Sequence, residues 1–86
     1  MRLIFAEQAW EDYQYCLQTD QKITRCIHEL IKDTMRSPLD GIGKPEPLRH
    51  ALVGYWSHRI SEEHWMVYKV EGNSLLLAQL RYHYAR

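Results

Sequence analysis

The sequence predicts an α+β fold, ordered β-α-α-β-β-β-β, with a helical hairpin packed on one face of a mainly antiparallel sheet. Three observations predict it. The apolar pattern changes from a short run to helical spacing at Glu7, and a second helical stripe follows directly. Beyond a loop punctuated by prolines, the chain then breaks into four short strand-like runs. The 86 residues give room for one domain, residues 1–86, with a modest core.

Each element has a local reason. Arg2-Leu3-Ile4-Phe5-Ala6 is the apolar run of a first strand. Ala6, Trp10, Tyr13 and Leu17 then recur at helical spacing to about Thr19. Asp20 is a side chain that caps a second helix, whose stripe is Ile23, Ile27, Leu30 and Ile31. That helix should stop before Pro38, because the residue preceding a proline avoids helical angles. Residues 37–47 form the loop, and 48–53, 55–61, 65–71 and about 75–84 read as strands.

The last hairpin has two candidate registers. A two-residue turn at Gly72-Asn73 would pair Trp65 with Leu80 and set Lys69 among Leu76 and Ala78. A three-residue turn through Ser74 pairs Trp65 with Arg81. It groups Met66, Tyr68 and Val70 with Leu76, Ala78, Leu80 and Tyr82, and leaves Val67 and Lys69 with Leu77, Gln79, Arg81 and His83. The second separates apolar from polar and is preferred. Carried across residues 62–64, it adds Tyr55, Ser57 and Arg59 to the polar face, so an open face carries Arg59, Trp65, Arg81 and His83.

Composition narrows the class. Apolar residues make up 45% of the chain and charged residues 26%, the balance of a folded rather than a disordered protein. No stretch approaches the roughly 20 apolar residues of a membrane span, so no membrane partner is expected. Cys16 and Cys26 lack C-x-x-C spacing and read as reduced thiols of a cytoplasmic protein. Net charge is zero, which argues against a generic polyanion binder. Residues 1–43 hold seven acids and five Lys/Arg, whereas residues 44–86 hold four acids, six Lys/Arg and four histidines. That excess places any basic face on the second half.

One constellation carries chemistry. Glu46 stands between Pro45 and Pro47, which fix its surroundings and push it toward extended angles. Arg49 follows three residues later, and the chain closes on Arg81-Tyr82-His83-Tyr84. A carboxylate, a histidine and arginines facing one groove suit metal-free phosphodiester cleavage. One group takes a proton, another gives one, and guanidinium groups stabilise the charge on phosphate. RNA supplies its own nucleophile in the 2′-hydroxyl, so neither metal nor cofactor is required. The plainer alternative is a solvated loop glutamate and a surface histidine. Zinc binding by His50, His58, His64 and His83 fits less well, because no two of them have helical ligand spacing.

Four segments resemble one family. Gly43-Lys44-Pro45-Glu46-Pro47-Leu48, Trp56-Ser57-His58-Arg59-Ile60, Glu63-His64 with Val67-Tyr68, and Arg81-Tyr82-His83-Tyr84 together look like the YoeB/Txe toxins of the RelE superfamily. Lys32-Asp33-Thr34 and Pro38 extend the likeness to the helical half, so it runs almost end to end. The resemblance implies a RelE-like fold and a toxin of a type II toxin–antitoxin pair that cuts mRNA in the ribosomal A site. It implies Glu46 as base, His83 as acid and Arg49 as the cation following the Pro-Glu-Pro motif. Arg59 and Tyr84 match positions that contact or orient RNA, and Lys44, Arg81 and Trp65 flank them as further RNA-binding residues. The implied partners are a YefM-type antitoxin, the ribosome and mRNA, operator DNA through the antitoxin complex, and a second copy as a homodimer. One position departs from the pattern: an arginine normally follows Glu-His, and here it is Trp65. That exchange implies an attenuated nuclease unless Arg49, Arg59 or Arg81 supplies the charge. The alternative class is a catalytically weak binding module acting through antitoxin and operator DNA. The gyrase-directed ParE branch of the superfamily fits less well, since it would not be expected to carry Glu46 with His83-Tyr84.

Overall fold

In the computed structural model, which describes residues 1–37 and 45–82, strand β1 (Arg2–Phe5) passes through Ala6 into helix α1 (Glu7–Thr19). Helix α2 (Gln21–Arg36) follows after the single residue Asp20. Asp20 serves both helices. Its N–H donates to the Cys16 carbonyl at 2.9 Å, closing α1, and its carboxylate accepts from the Ile23 N–H at 3.1 Å, opening α2. Helix α2 ends at Arg36, ahead of Pro38, with the Ser37 N–H on the Asp33 carbonyl.

The stripe expected on α2 is the one that packs: Ile27, Leu30 and Ile31 are buried, and Ile23 lies against them. The stripe expected on α1 is displaced. Ala9, Asp12 and Cys16 face inward, while Trp10 and Leu17 are nearly half exposed. Trp10 packs edge-on against Phe5 at 5.5 Å. A buried carboxylate occupies the centre of the inward face, and apolar periodicity passes over such a residue.

The strands beyond residue 44 are β2 (Glu46–Pro47), β3 (Trp56–Arg59), β4 (Trp65–Glu71) and β5 (Ser74–Gln79). They form one sheet in the order β1-β5-β4-β3-β2, with β1 parallel to β5 and the other three pairings antiparallel. The strand expected over 48–53 is instead a short 3-10 turn at His50–Leu52. His50 sits at φ +58°, and the N–H groups of Leu52 and Val53 turn back onto the carbonyls of Arg49 and His50.

The expected hairpin register holds only at its far end. The turn has two residues, with Gly72 at φ +56°, and it pairs Glu71 with Ser74 and Tyr68 with Leu77. Between Val67 and Tyr68 the ladder shifts past Ala78, so that Val67 pairs with Gln79 as the longer turn would have it. The reason is burial. Leu75, Leu77 and Leu80 are all fully buried against the helices, and their spacing of two and then three residues needs one bulge. Leu76 therefore lies opposite Lys69 on the open face, not among the core residues expected.

The core under the helices joins Ala9, Cys16, Ile27, Leu30, Met66, Tyr68, Leu75, Leu77 and Leu80. One row of paired residues runs across this side of the sheet, from Phe5 through Leu77, Tyr68 and Trp56 to Pro47. Burial of Tyr68 pushes its phenol up to about 12, because the phenolate would have to exist without water. Burial likewise raises the thiols of Cys16 and Cys26, and both cysteines are free. No helix among the described residues is long and apolar enough to cross a membrane.

Candidate active site

The opposite face of the sheet carries a second row: Glu46, Ser57, Val67 and Gln79 stand side by side across β2, β3, β4 and β5. Ser57 and Val67 are buried and form a floor, whereas Glu46 on edge strand β2 is exposed. Pro47 suits that edge, since it has no N–H to donate to a ladder. Glu46 also shares a hollow of about 240 Å³ with Pro47, Leu48, Arg49 and His50. The left-handed turn at His50 folds the chain back at that point, which places a histidine beside Glu46 that the sequence had suggested only as a weak zinc ligand.

Arg59 and Trp65 are paired across β3 and β4 on this same face, two residues along from Ser57 and Val67. The Arg59 guanidinium lies 5.5 Å from the centre of the Trp65 indole, and its Nε donates to the Ser61 carbonyl at 3.0 Å. Trp65 is thus a platform for Arg59, in the range of a cation–π contact. The face holds a carboxylate and a guanidinium over the short Ser57–Val67 floor, with Arg49 beside the carboxylate. Such an arrangement offers a proton acceptor and positive charge to an anionic group lying across it. Among the described residues no cluster of three or more metal-ligating side chains occurs.

Arg81 was expected on that face and is not there. Its guanidinium lies 3.6 Å from the centre of the Tyr15 ring on α1 and 4.7 Å from that of Tyr82, and it donates to the Tyr82 hydroxyl at 2.9 Å. The bulge at Ala78 gives Val67 and Gln79 the register expected, but β5 ends at Gln79 and the chain beyond it leaves the sheet toward α1, so strand alternation does not reach Arg81. Tyr82, expected in the core, is exposed, with its ring edge-on to His64 at 5.3 Å. Lys44, His83 and Tyr84 lie outside the described residues.

Two residues with no such role expected from the sequence organise this end. The Asp12 carboxylate, 2% exposed, accepts from the N–H groups of Leu80 at 2.9 Å and Arg81 at 3.1 Å. His64 Nδ1 accepts from the Tyr82 N–H at 2.7 Å. The first lies off the apolar stripe of Ala6, Trp10, Tyr13 and Leu17, so helical periodicity did not mark it. The second stood in the sequence only within Glu63-His64 and as a weak zinc ligand, and neither reading points to a backbone anchor.

A helical hairpin covering one face of a five-stranded mixed sheet is an architecture shared with small bacterial toxins of known structure. The chain superposes on a YoeB/ParE toxin from Agrobacterium tumefaciens with a TM-score of 0.94 and 42% identity, covering 98% of this chain and 100% of that one. It superposes on a chain of a YoeB–YefM complex from Staphylococcus aureus with a TM-score of 0.89 and 45% identity, covering 98% of each. The Toxin YoeB of Escherichia coli K12 is 57% identical over 84 residues, 98% of this chain and 100% of the relative. The model of YoeB-like toxins of bacterial type II toxin–antitoxin systems matches residues 5–84, and the chain belongs to that family. The RelE-like architecture expected from the sequence is therefore the architecture observed.

Proposed function

We propose that this toxin is a ribosome-dependent endoribonuclease that cuts mRNA in the A site. The observation that carries the reading is the shared face: Glu46 stands in register with the Ser57–Val67 floor, Arg59 follows on the same side, and Arg49 lines the hollow beside Glu46. In this reading Glu46 takes the proton of the ribose 2′-hydroxyl, whose oxygen attacks the adjacent phosphorus. The bond to the 5′-oxygen breaks, and His83 donates the proton that oxygen needs. The products are a 2′,3′-cyclic phosphate and a 5′-hydroxyl, with no water, metal or protein nucleophile consumed. Arg49 and Arg59 stabilise charge on the phosphorane, while Lys44 and Tyr84 contribute to holding RNA; Arg81, turned onto Tyr15, takes no part in this reading. Trp65 stacks on a base or on Arg59 but supplies no charge.

An antitoxin of the YefM type is the proposed partner, by analogy with the staphylococcal complex. Its tail covers the groove between Glu46 and His83, and the complex binds operator DNA. The contact of Trp65 with Arg59 also supports a second reading, a catalytically weak module whose main work is binding.

Primer-extension mapping of cuts on programmed ribosomes separates the two. The nuclease reading expects slow cleavage that His83→Ala abolishes, that chelator leaves unchanged, and that Trp65→Arg raises roughly 10²-fold, the usual worth of one charge-stabilising donor. Absence of cleavage in both the parent and Trp65→Arg, with tight antitoxin binding retained, would establish the binding module instead.

A further inference from the structure

The segment leading to His83 is held by side chains that the proposed chemistry does not use. Beyond β5, each backbone N–H of residues 80–82 is bonded to a distant side chain. Leu80 and Arg81 donate to Asp12 on α1, and Tyr82 donates to His64 from the β3–β4 turn. Two of the same segment's carbonyls are also taken. Gln79 Nε2 donates to the carbonyl oxygens of Arg81 at 3.0 Å and Tyr82 at 3.3 Å, and the Trp65 N–H donates to Tyr82 at 3.2 Å. Tyr82 sits at φ +63°, a left-handed angle that costs a non-glycine residue about 1–2 kcal/mol and persists only where neighbours enforce it.

We infer that Asp12 and His64 are positioning residues for His83, fixing the last peptide before it on the side of the sheet end where Trp65 begins β4. The inference rests on the nuclease reading of His83. Asp12 is itself fixed, since Gln8 Nε2 donates to its other oxygen at 3.0 Å. His64 acts through one atom. Because the Tyr82 N–H is a donor, Nδ1 must be the unprotonated nitrogen, which puts the ring proton on Nε2. His64 is in turn held by its own carbonyl, which accepts from the N–H groups of Ile60 at 2.8 Å and Ser61 at 3.2 Å. A general acid must meet its leaving oxygen within hydrogen-bond reach, and a misplacement of about 1 Å costs roughly 10²-fold in rate. Two anchors on the preceding peptides supply that constraint from outside the site.

The geometry gives a test that a merely structural role would not pass. In His64→Asn the side-chain oxygen takes the place of Nδ1 and keeps the acceptor. In His64→Gln the polar end extends to the place of Nε2 and loses it, as does His64→Ala. Amide hydrogen exchange at Tyr82, and kcat and KM for cleavage on programmed ribosomes, are measured for all three in the parent and in the Trp65→Arg chain. Expected are faster Tyr82 exchange and a kcat lower by about tenfold or more in His64→Gln and His64→Ala, with KM within about twofold and rescue of both readouts in His64→Asn. Unchanged Tyr82 exchange in His64→Ala would overturn the anchor itself. Loosened exchange with unchanged kcat, where His83→Ala still abolishes cleavage, would overturn the positioning role and leave the nuclease reading standing. Equal cleavage by the parent and His83→Ala would remove the nuclease reading, and the positioning role with it.

Discussion

Glu46 and the segment that leads to His83 are held in opposite ways. Glu46 is stiffened by its own neighbours, Pro45 and Pro47, and by a two-residue pairing with β3 at the sheet edge. Residues 80–82 contain no proline, and beyond the bonds from Gln79 to the carbonyls of Arg81 and Tyr82 they are held from a distance. Their N–H groups are bonded to Asp12, 68 and 69 residues away, and to His64, 18 residues away. The first arrangement survives wherever β2 reaches β3. The second exists only while α1, the β3–β4 turn and the end of β5 are assembled, so one side of the proposed site is covalent in origin and the other is a product of the whole fold.

The largest break in that comparison is Asp12→Ala. It leaves the N–H groups of Leu80 and Arg81 without the carboxylate, at a place where Leu80 is fully buried. Each orphaned donor costs about 1–3 kcal/mol, so a stability loss of roughly 2–6 kcal/mol is expected from denaturant unfolding. Asp12→Asn, which keeps one oxygen, should lose less than half as much. Equal stability of the alanine variant and the parent would mean that the end of β5 is held by packing alone.

A second break dissolves the core without touching either anchor. The phenol of Tyr68 is pushed from 10.0 up to about 12 by burial. Its folded-state value is raised, so its contribution to stability is complete below pH 10 and is lost as pH rises through 12. The loss is on the order of 2–3 kcal/mol, following from the size of that shift. Urea unfolding at pH 9, 10, 11 and 12 should show this fall in the parent, and Tyr68→Phe should remove that part of it. Tyr68 lies in the same row as Pro47 and Trp56, so the alkaline loss reaches the edge of the sheet that carries Glu46.

The difference in how the two halves are held is also the difference in what could be read from the chain. Helix α2, the helix exit before Pro38, β4 and the presentation of Glu46 were legible, because each depends on residues within a few positions of one another. The three consecutive leucines 75–77 were not, since either register buries an apolar residue. Leu80 settles the matter only once it is known to be in the core, and the bulge at Ala78 then follows. Arg81 was misplaced for another reason: the strand was expected to run on to about residue 84, but it ends at Gln79, and Asp12 draws the chain toward α1 and the ring of Tyr15. Asp12 broke the apparent stripe of α1 through a bond to the far end of the chain, which no local pattern records. The left-handed turn at His50, where a strand was expected, involves no glycine and left no composition signal.

The smallest effect sharpens the local half. Pro47→Ala returns an N–H to the edge of the sheet and frees the φ of residue 47, and Pro45→Ala frees the φ preceding Glu46. Where proline fits its native angle, removing it costs about 0.4–1 kcal/mol, chiefly through the greater freedom of the unfolded chain. Each variant should therefore lower the midpoint of thermal unfolding by only a few degrees, within what a domain of this size shows per kcal/mol. Glu46 should feel more than the fold does. With both prolines replaced, the carboxylate samples angles outside the extended region, and kcat on programmed ribosomes should fall severalfold while the Tyr82 amide remains as protected as in the parent. That combination is the signature of independent restraints: the site loses its base geometry, and Asp12 and His64 keep the other side in place. Should Tyr82 exchange accelerate in the proline variants, β2 and the end of β5 would be coupled through the shared Glu46–Ser57–Val67–Gln79 row, and the two halves would have to be treated as one cooperative unit.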